Sequence, residues 1–315
     1  MKKILFYSMA IAAMTMTACS SDEGQDTTET WATFSAVIGE EQHTRAYDQT
    51  WESGDAIGIT GTTGGTAYTN VKYTTANGDG NFAVATAGTD IYYQDTQDVT
   101  FTAYYPWNNL TASASTLQVD TRAQAGQKTF DFLWAQATGS KASPNVAFTF
   151  AHKMAKVVIT VKKGADVSFS EVQDAKLSLN GFLHEGTFDT ATGTAAATGT
   201  AVDWQFAGNT NEPGHNAPSA ADNSAETVSY SLIMFPQEFA ATLPFTASLT
   251  GMQSFATRID FTTANANAGD ADAKNEWVAG RQYNISVTLN KTSLTVNGCT
   301  ISPWVNANGG NFDAN

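Results

Sequence analysis

Short runs in which apolar and polar side chains alternate, each closed by a glycine- or proline-containing turn, recur from residue 31 almost to the C-terminus. A period of two lines one face of a strand, and a helix with its 3.6-residue period cannot bury such a pattern on one side. In residues 31–38 the side chains of Phe34, Ala36 and Ile38 share a face, and in residues 277–289 Tyr283, Ile285, Val287 and Leu289 do the same. Residues 55–60 run into Gly64-Gly65, residues 68–74 into Asn77-Gly78-Asp79-Gly80, and residues 99–105 alternate until Pro106 stops them. Further strands are predicted over residues 129–135, 146–150, 155–161, 175–179, 227–235, 245–249 and 254–261. Only 15% of the residues are charged, against 42% hydrophobic, with Thr, Ala, Gly and Asn abundant. That is the reverse of a helical bundle, so the fold class is all-β, with strands at the spacing of a β-sandwich.

A chain of 315 residues suits about two domains. The change of character after Ser143-Pro144 places the boundary so that residues 31–147 form one and residues 148–315 the other. Residues 189–225 read as long surface loops. Asn297-Gly298 reads as a hairpin turn between residues 294–296 and 299–301. No repeat of fixed period is present, which argues against propellers and solenoids.

At the N-terminus, Lys2 and Lys3 precede the apolar run 4–16 and the small-residue site Thr17-Ala18-Cys19. Residues 1–18 read as a signal peptide, because the run falls short of the roughly 20 residues that span a bilayer. A cysteine directly after small residues resembles the lipobox of bacterial lipoproteins, with Met16 where that motif more often has Leu. Cys19 is therefore the expected lipidation site, and residues 19–30, polar and without apolar periodicity, the lipidated tether. A diacylated cysteine carries enough chain for stable anchoring in the outer membrane. Acylation leaves Cys299 as the one remaining cysteine, so stability must come from buried apolar area and not from disulfides.

Acidic residues outnumber basic ones 30 to 16, for a formal charge of −14, a field that repels nucleic acid and anionic lipid headgroups. The sequence holds no GxSxG, Walker A, HExxH or CxxC pattern, and His43, His152, His184 and His215 stand too far apart for a zinc site. No catalytic residue, metal or cofactor is expected. His152, among Phe148, Phe150 and Met154, reads as a structural residue at the domain junction. Asp270 and Asp272 lack the glycine and distal glutamate of a calcium loop and read as a solvated acidic turn. Trp51, Tyr92, Tyr93, Tyr104, Tyr105, Trp107 and Trp204 would form a carbohydrate-stacking platform if exposed together, but aromatic residues at strand spacing more often fill a core.

The order of Cys19, Thr44-Arg45-Ala46, residues 51–59 (WESGDAIGI), residues 101–106 (FTAYYP), residues 131–135 (DFLWA), residues 148–156 (FTFAHKMAK) and residues 277–283 (WVAGRQY) resembles fimbrillin-family proteins, including the minor-fimbrillin-like group. The resemblance implies a type V pilus subunit of two tandem transthyretin-like β-sandwich domains, exported as a lipoprotein precursor and assembled on the cell surface into a fimbrium. It further implies that a trypsin-like surface protease cuts between Arg45 and Ala46, making residues 31–45 a removable first strand. Another subunit's strand then fills the opened groove by β-augmentation. Leu294, Val296, Ile301 and Trp304, within residues 292–305, are the candidate donor side chains, or else they complete the second domain's own sheet. The expected partners are other pilus subunits, the protease, the outer membrane before processing and a host or bacterial surface ligand. Two other readings stay open: an anchored surface lipoprotein that binds glycans without polymerising, and a glycosidase whose carboxylate pair nothing in the sequence selects. Asp189-Thr190-Ala191 also resembles an O-glycosylation sequon.

Overall fold

The computed structural model describes residues 29–39, 50–110 and 114–304; Cys19, Arg45 and Ala46 lie outside the described residues. The described residues are all-β, with two short α-helices among them at Phe169–Gln173 and Thr262–Asn267. In the N-terminal half seven strands close on themselves in the order Asn145–His152, Thr33–Ile38, Asn81–Val84, Thr66–Thr74, Ala56–Thr63, Val99–Tyr105 and Leu133–Gly139. This closure differs from the open sandwich expected from strand spacing. Its cause is Thr33–Ile38, the first strand of the barrel, which follows the two-residue strand Thr30–Trp31, lies parallel to Asn145–His152 from Thr33 opposite Asn145 to Ile38 opposite Phe150 and so bridges two edges that would otherwise stay free. The barrel interior holds Phe34, Ile57, Ile59, Tyr73, Phe101 and Phe148, all buried. Strand Asn145–His152 belongs to this barrel and runs across the 147/148 boundary expected from sequence.

The C-terminal half stacks a five-stranded sheet on a four-stranded one. The first runs Ser219–Asp222, Thr227–Met234, Ala155–Lys163, Arg281–Leu289, Leu294–Pro303; the second runs Gln205–Ala207, Lys176–Leu179, Leu243–Ser248, Ser254–Ile259. Ala155–Lys163 lies antiparallel to Thr227–Met234 and parallel to Arg281–Leu289, which puts Val157, Ile159, Val161, Tyr283, Ile285 and Val287 into one core. Residues 189–225, expected as loops, contain three strands, Thr194–Thr198, Gln205–Ala207 and Ser219–Asp222. The Ala- and Thr-rich composition of the segment hides the pattern: only Trp204, Phe206, Ala207 and Ala217 are buried apolar residues, and tertiary pairing supplies the rest.

Asn297-Gly298 is not a hairpin turn. Leu294–Pro303 is one continuous strand that pairs along Arg281–Leu289, with Gly298 opposite Ser286 and Val296 opposite Val287. Asn297 is thus the extra residue of a β-bulge, and its side chain donates to Thr288 Oγ1 at 2.9 Å. The bulge has a purpose legible in the numbering. Leu294 and Val296 are even, Cys299 and Ile301 odd, and one inserted residue lets all four face the same core. Deleting Asn297 is expected to straighten the strand with Leu294, Val296, Cys299 and Ile301 still on the core face, and to change stability, read from the urea midpoint, by less than about 0.5 kcal/mol.

The halves are joined by a packed core and not by a linker. Thr116–Asp120, from the N-terminal side, pairs with Glu185–Asp189, which pairs with Thr194–Thr198. Under this sheet Phe132 and Phe188 stack at 4.3 Å beside buried Tyr104, Met154, Phe235 and Trp304. Gln124, fully buried, donates from Nε2 to Ile233 O at 3.0 Å and accepts the Ile233 N–H at 3.0 Å. Buried amides paired in this way fix the relative position of the two halves.

Candidate assembly interface

The first strand has the attributes of a removable plug. Phe34 is 4% exposed and its ring meets those of Tyr73, Phe101 and Phe148 at 4.9, 5.4 and 5.9 Å, while Ala36 is 4% exposed and Val37 points outward at 43%. Trp51 Nε1 donates to Ala36 O at 2.8 Å, and Ala36 N donates to Gly80 O at 2.8 Å. Gly80 has φ +78°, and a Cβ there would lie 2.4 Å from Ala36 O, so only glycine lets the turn at 78–80 approach the strand. On this side the ladder is short, with pairs only at Phe34 opposite Phe82 and Ser35 opposite Asn81. Beyond it a groove of about 570 Å³ opens, lined by Ala36, Val37, Asp79, Gly80 and Phe148. Arg45 and Ala46 follow this strand in the chain, outside the described residues.

At the other end of the chain, Leu294–Pro303 is an edge strand, paired on one side only among the described residues. It carries no charged residue, although natural edges are commonly protected by Lys, Glu or short length. Leu294 is buried, Val296 and Ile301 are half-buried against the C-terminal core, and Trp304 lies in the junction core. The four candidate donor side chains therefore complete this chain's own sheet and junction. Trp304 stacks on His152 with centroids 4.0 Å apart and planes 5° from parallel, and His152 Nδ1 lies 2.9 Å from Asp131 Oδ1. This contact between the two halves has no period or motif to reveal it in sequence.

The other residues singled out from sequence serve the fold. Asp55 Oδ2 accepts the Glu52 N–H at 2.7 Å, while Oδ1 accepts from Tyr105 at 3.1 Å and pairs with Lys128 at 3.0 Å, tying the segment 51–55 to the barrel. Burial, with Asp55 alongside, pushes the Tyr105 hydroxyl well above its ordinary value. Asp270 is held in a two-bond fork by Arg281 at 2.5 and 2.6 Å, which keeps its carboxyl below the usual range. Of the seven aromatics considered as a stacking platform, Trp51, Tyr93, Tyr104, Tyr105 and Trp204 are buried, while Tyr92 and Trp107 are half-buried. They do not gather on one exposed face. Thr190 donates its hydroxyl to Ser115 O at 3.0 Å and is half-buried.

A family model described as fimbrillin-like matches residues 44–304. The chain belongs to the fimbrillin-like family. A Bacteroides uniformis protein named as fimbrium subunit Fim1C is 29% identical over 325 residues, covering 100% of this chain and 99% of that protein. The crystal structure of a Bacteroides uniformis protein described as a cell adhesion protein superimposes with a TM-score of 0.66 at 27% identity, over 90% of this chain and 100% of the other. A second such structure, from Bacteroides ovatus, has a TM-score of 0.68 at 23% identity over 89% and 99%, and shows the shared fold. This fimbrillin-like chain is accordingly a pilus or adhesin subunit, structural and non-enzymatic, that belongs to a cell-surface appendage and associates with other pilus subunits.

Proposed function

We propose that this fimbrillin-like chain is a polymerising type V pilus subunit made of two transthyretin-like domains and assembled by protease-triggered strand exchange. It is exported under its signal peptide, lipidated at Cys19, held at the outer membrane and cut between Arg45 and Ala46 by a trypsin-like protease. The observation that carries this reading is the position of Thr33–Ile38. A strand upstream of the cut site fills one place in a closed barrel and buries Phe34 and Ala36. Its loss exposes unpaired backbone on Asn145–His152 and Asn81–Val84 together with the apolar floor beneath, an acceptor for an incoming strand.

The uncharged edge strand Leu294–Pro303 is the matching donor. Once its bulge is drawn straight, Leu294, Val296 and Trp304 fall on one face with Gly298 between them, so three of the four candidate side chains can enter a groove together. Limited trypsin on residues 20–315 is expected to cut after Arg45 and convert a monomer into heat-resistant oligomers, followed by intact mass and gel filtration. Arg45→Ala is expected to abolish the conversion. A clean cut that leaves a stable monomer would sink the polymerising role and favour an anchored glycan binder.

A further inference from the structure

Leu294–Pro303 is held on one side only along its length. One ladder pairs it to Arg281–Leu289, and Val296, Cys299 and Ile301 are only half-buried. Its firmest hold is at its end. Trp304 is 5% exposed, donates its backbone N–H to Gly280 O at 3.3 Å and lies flat on His152 at 4.0 Å. The Lys156 ammonium sits 5.9 Å over the same ring. His152 belongs to the other half of the protein. It ends the barrel strand Asn145–His152 and is itself fixed by Asp131 at 2.9 Å.

That barrel strand depends on the first strand. Six of its residues, Asn145 to Phe150, pair with Thr33–Ile38, whereas only Ala151 and His152 pair with Leu133–Gly139, opposite Trp134 and Leu133. Gly39 N adds a bond to Phe150 O at 2.8 Å. When the first strand leaves, His152 is left at the end of a strand that has lost most of its ladder.

We propose that the His152–Trp304 stack is a latch that holds the C-terminal strand in its own sheet, and that the first strand keeps this latch closed. The latch is read from the structure alone, while its consequence for assembly rests on the donor-strand reading above. In the uncut chain both ends are closed, the acceptor groove by Thr33–Ile38 and the C-terminal strand by Trp304. One cut then opens the groove directly and loosens the donor through Asn145–His152. The chain needs no second trigger, and a precursor cannot donate before it can accept.

Hydrogen–deuterium exchange of the segment 294–303 in the residue 20–315 protein tests the latch, with Ala155–Lys163 as the internal reference. His152→Ala and Trp304→Leu are each expected to speed exchange of 294–303 at least tenfold while the reference stays slow, and Trp304→Phe, which keeps a stacking ring, to restore most of the protection. Phe34→Ala, which weakens the first strand without a cut, is expected to speed the same segment and to add little when combined with His152→Ala, because both act through one contact. Exchange within twofold of the parent in Trp304→Leu overturns the latch. Protected 294–303 in Phe34→Ala, with fast exchange in His152→Ala, overturns its control by the first strand. Should His152→Ala speed the reference as well, the comparison of Trp304→Leu with Trp304→Phe decides. A latch that behaves as expected in a chain that never polymerises after trypsin refutes the donor-strand reading alone.

Discussion

Phe34→Ala is expected to lower the stability of the N-terminal barrel by about 3–4 kcal/mol, the usual cost of truncating a buried phenylalanine. Phe34 is 4% exposed and touches three rings, Tyr73, Phe101 and Phe148, each from a different strand. Truncation therefore leaves a void that no single neighbour can fill by shifting. The loss falls on the seam of the barrel, where six parallel pairs on one side and two antiparallel pairs on the other hold Thr33–Ile38. Val37→Ala on the same strand, where the side chain is 43% exposed, is expected to change stability by less than about 0.5 kcal/mol. Urea unfolding followed by tryptophan fluorescence, to which Trp51 with its indole N–H on Ala36 O contributes, measures both. Equal effects of the two substitutions would mean that the first strand is not packed as described.

Acidification is expected to destabilise the protein through His184, by an amount on the order of 4 kcal/mol between pH 6.5 and pH 3. His184 is 2% exposed, lies 4.3 Å from the Phe182 ring and 4.8 Å from that of Trp204, and neither ring nitrogen has a hydrogen-bond partner among the described residues. Burial pushes its pKa from 6.5 down to about 3, with Asp120 opposing and Arg122 adding to the fall. In the unfolded chain the same imidazole takes up a proton below pH 6.5. Across that window the unfolded state binds more protons, so stability falls as the pH drops, and above pH 6.5 this group contributes no slope. His184→Phe is expected to flatten the difference between the urea midpoints at pH 7 and pH 4. Asp270, held below its ordinary 3.8 by Arg281, acts in the same direction only in the lower part of the range, and comparing parent with variant removes its share. An unchanged pH dependence in His184→Phe would show that the histidine is hydrated in the folded protein.

Much of the strand inventory was legible in the chain because it follows from alternation alone. Phe34 and Ala36, the run from Val99 to Tyr105, and Tyr283, Ile285, Val287 and Leu289 show their buried faces in their spacing. Turn chemistry was legible where glycine is obligatory, as at Gly78 and Gly80. It misled at Asn297-Gly298, because a favoured hairpin pair and a bulge share the same residues, and only the partner strand Arg281–Leu289 decides between them. The weakly patterned strands Thr116–Asp120 and Thr194–Thr198 stayed hidden because their stability comes from pairing with Glu185–Asp189 and not from their own composition.

By itself the sequence determined the strongly alternating strands, which of their residues face a core and to which family the ordered motifs point, since these depend on neighbours two to ten positions away. The tertiary structure alone decided that Thr33–Ile38 closes a barrel by lying parallel to a strand more than a hundred residues later, and that His152 and Trp304, from opposite halves, lie face to face. Local periodicity specifies the face a side chain presents. It carries no information about the distant surface that face will meet, because that choice is made by the shape and free edges of elements that exist only once the whole chain has folded.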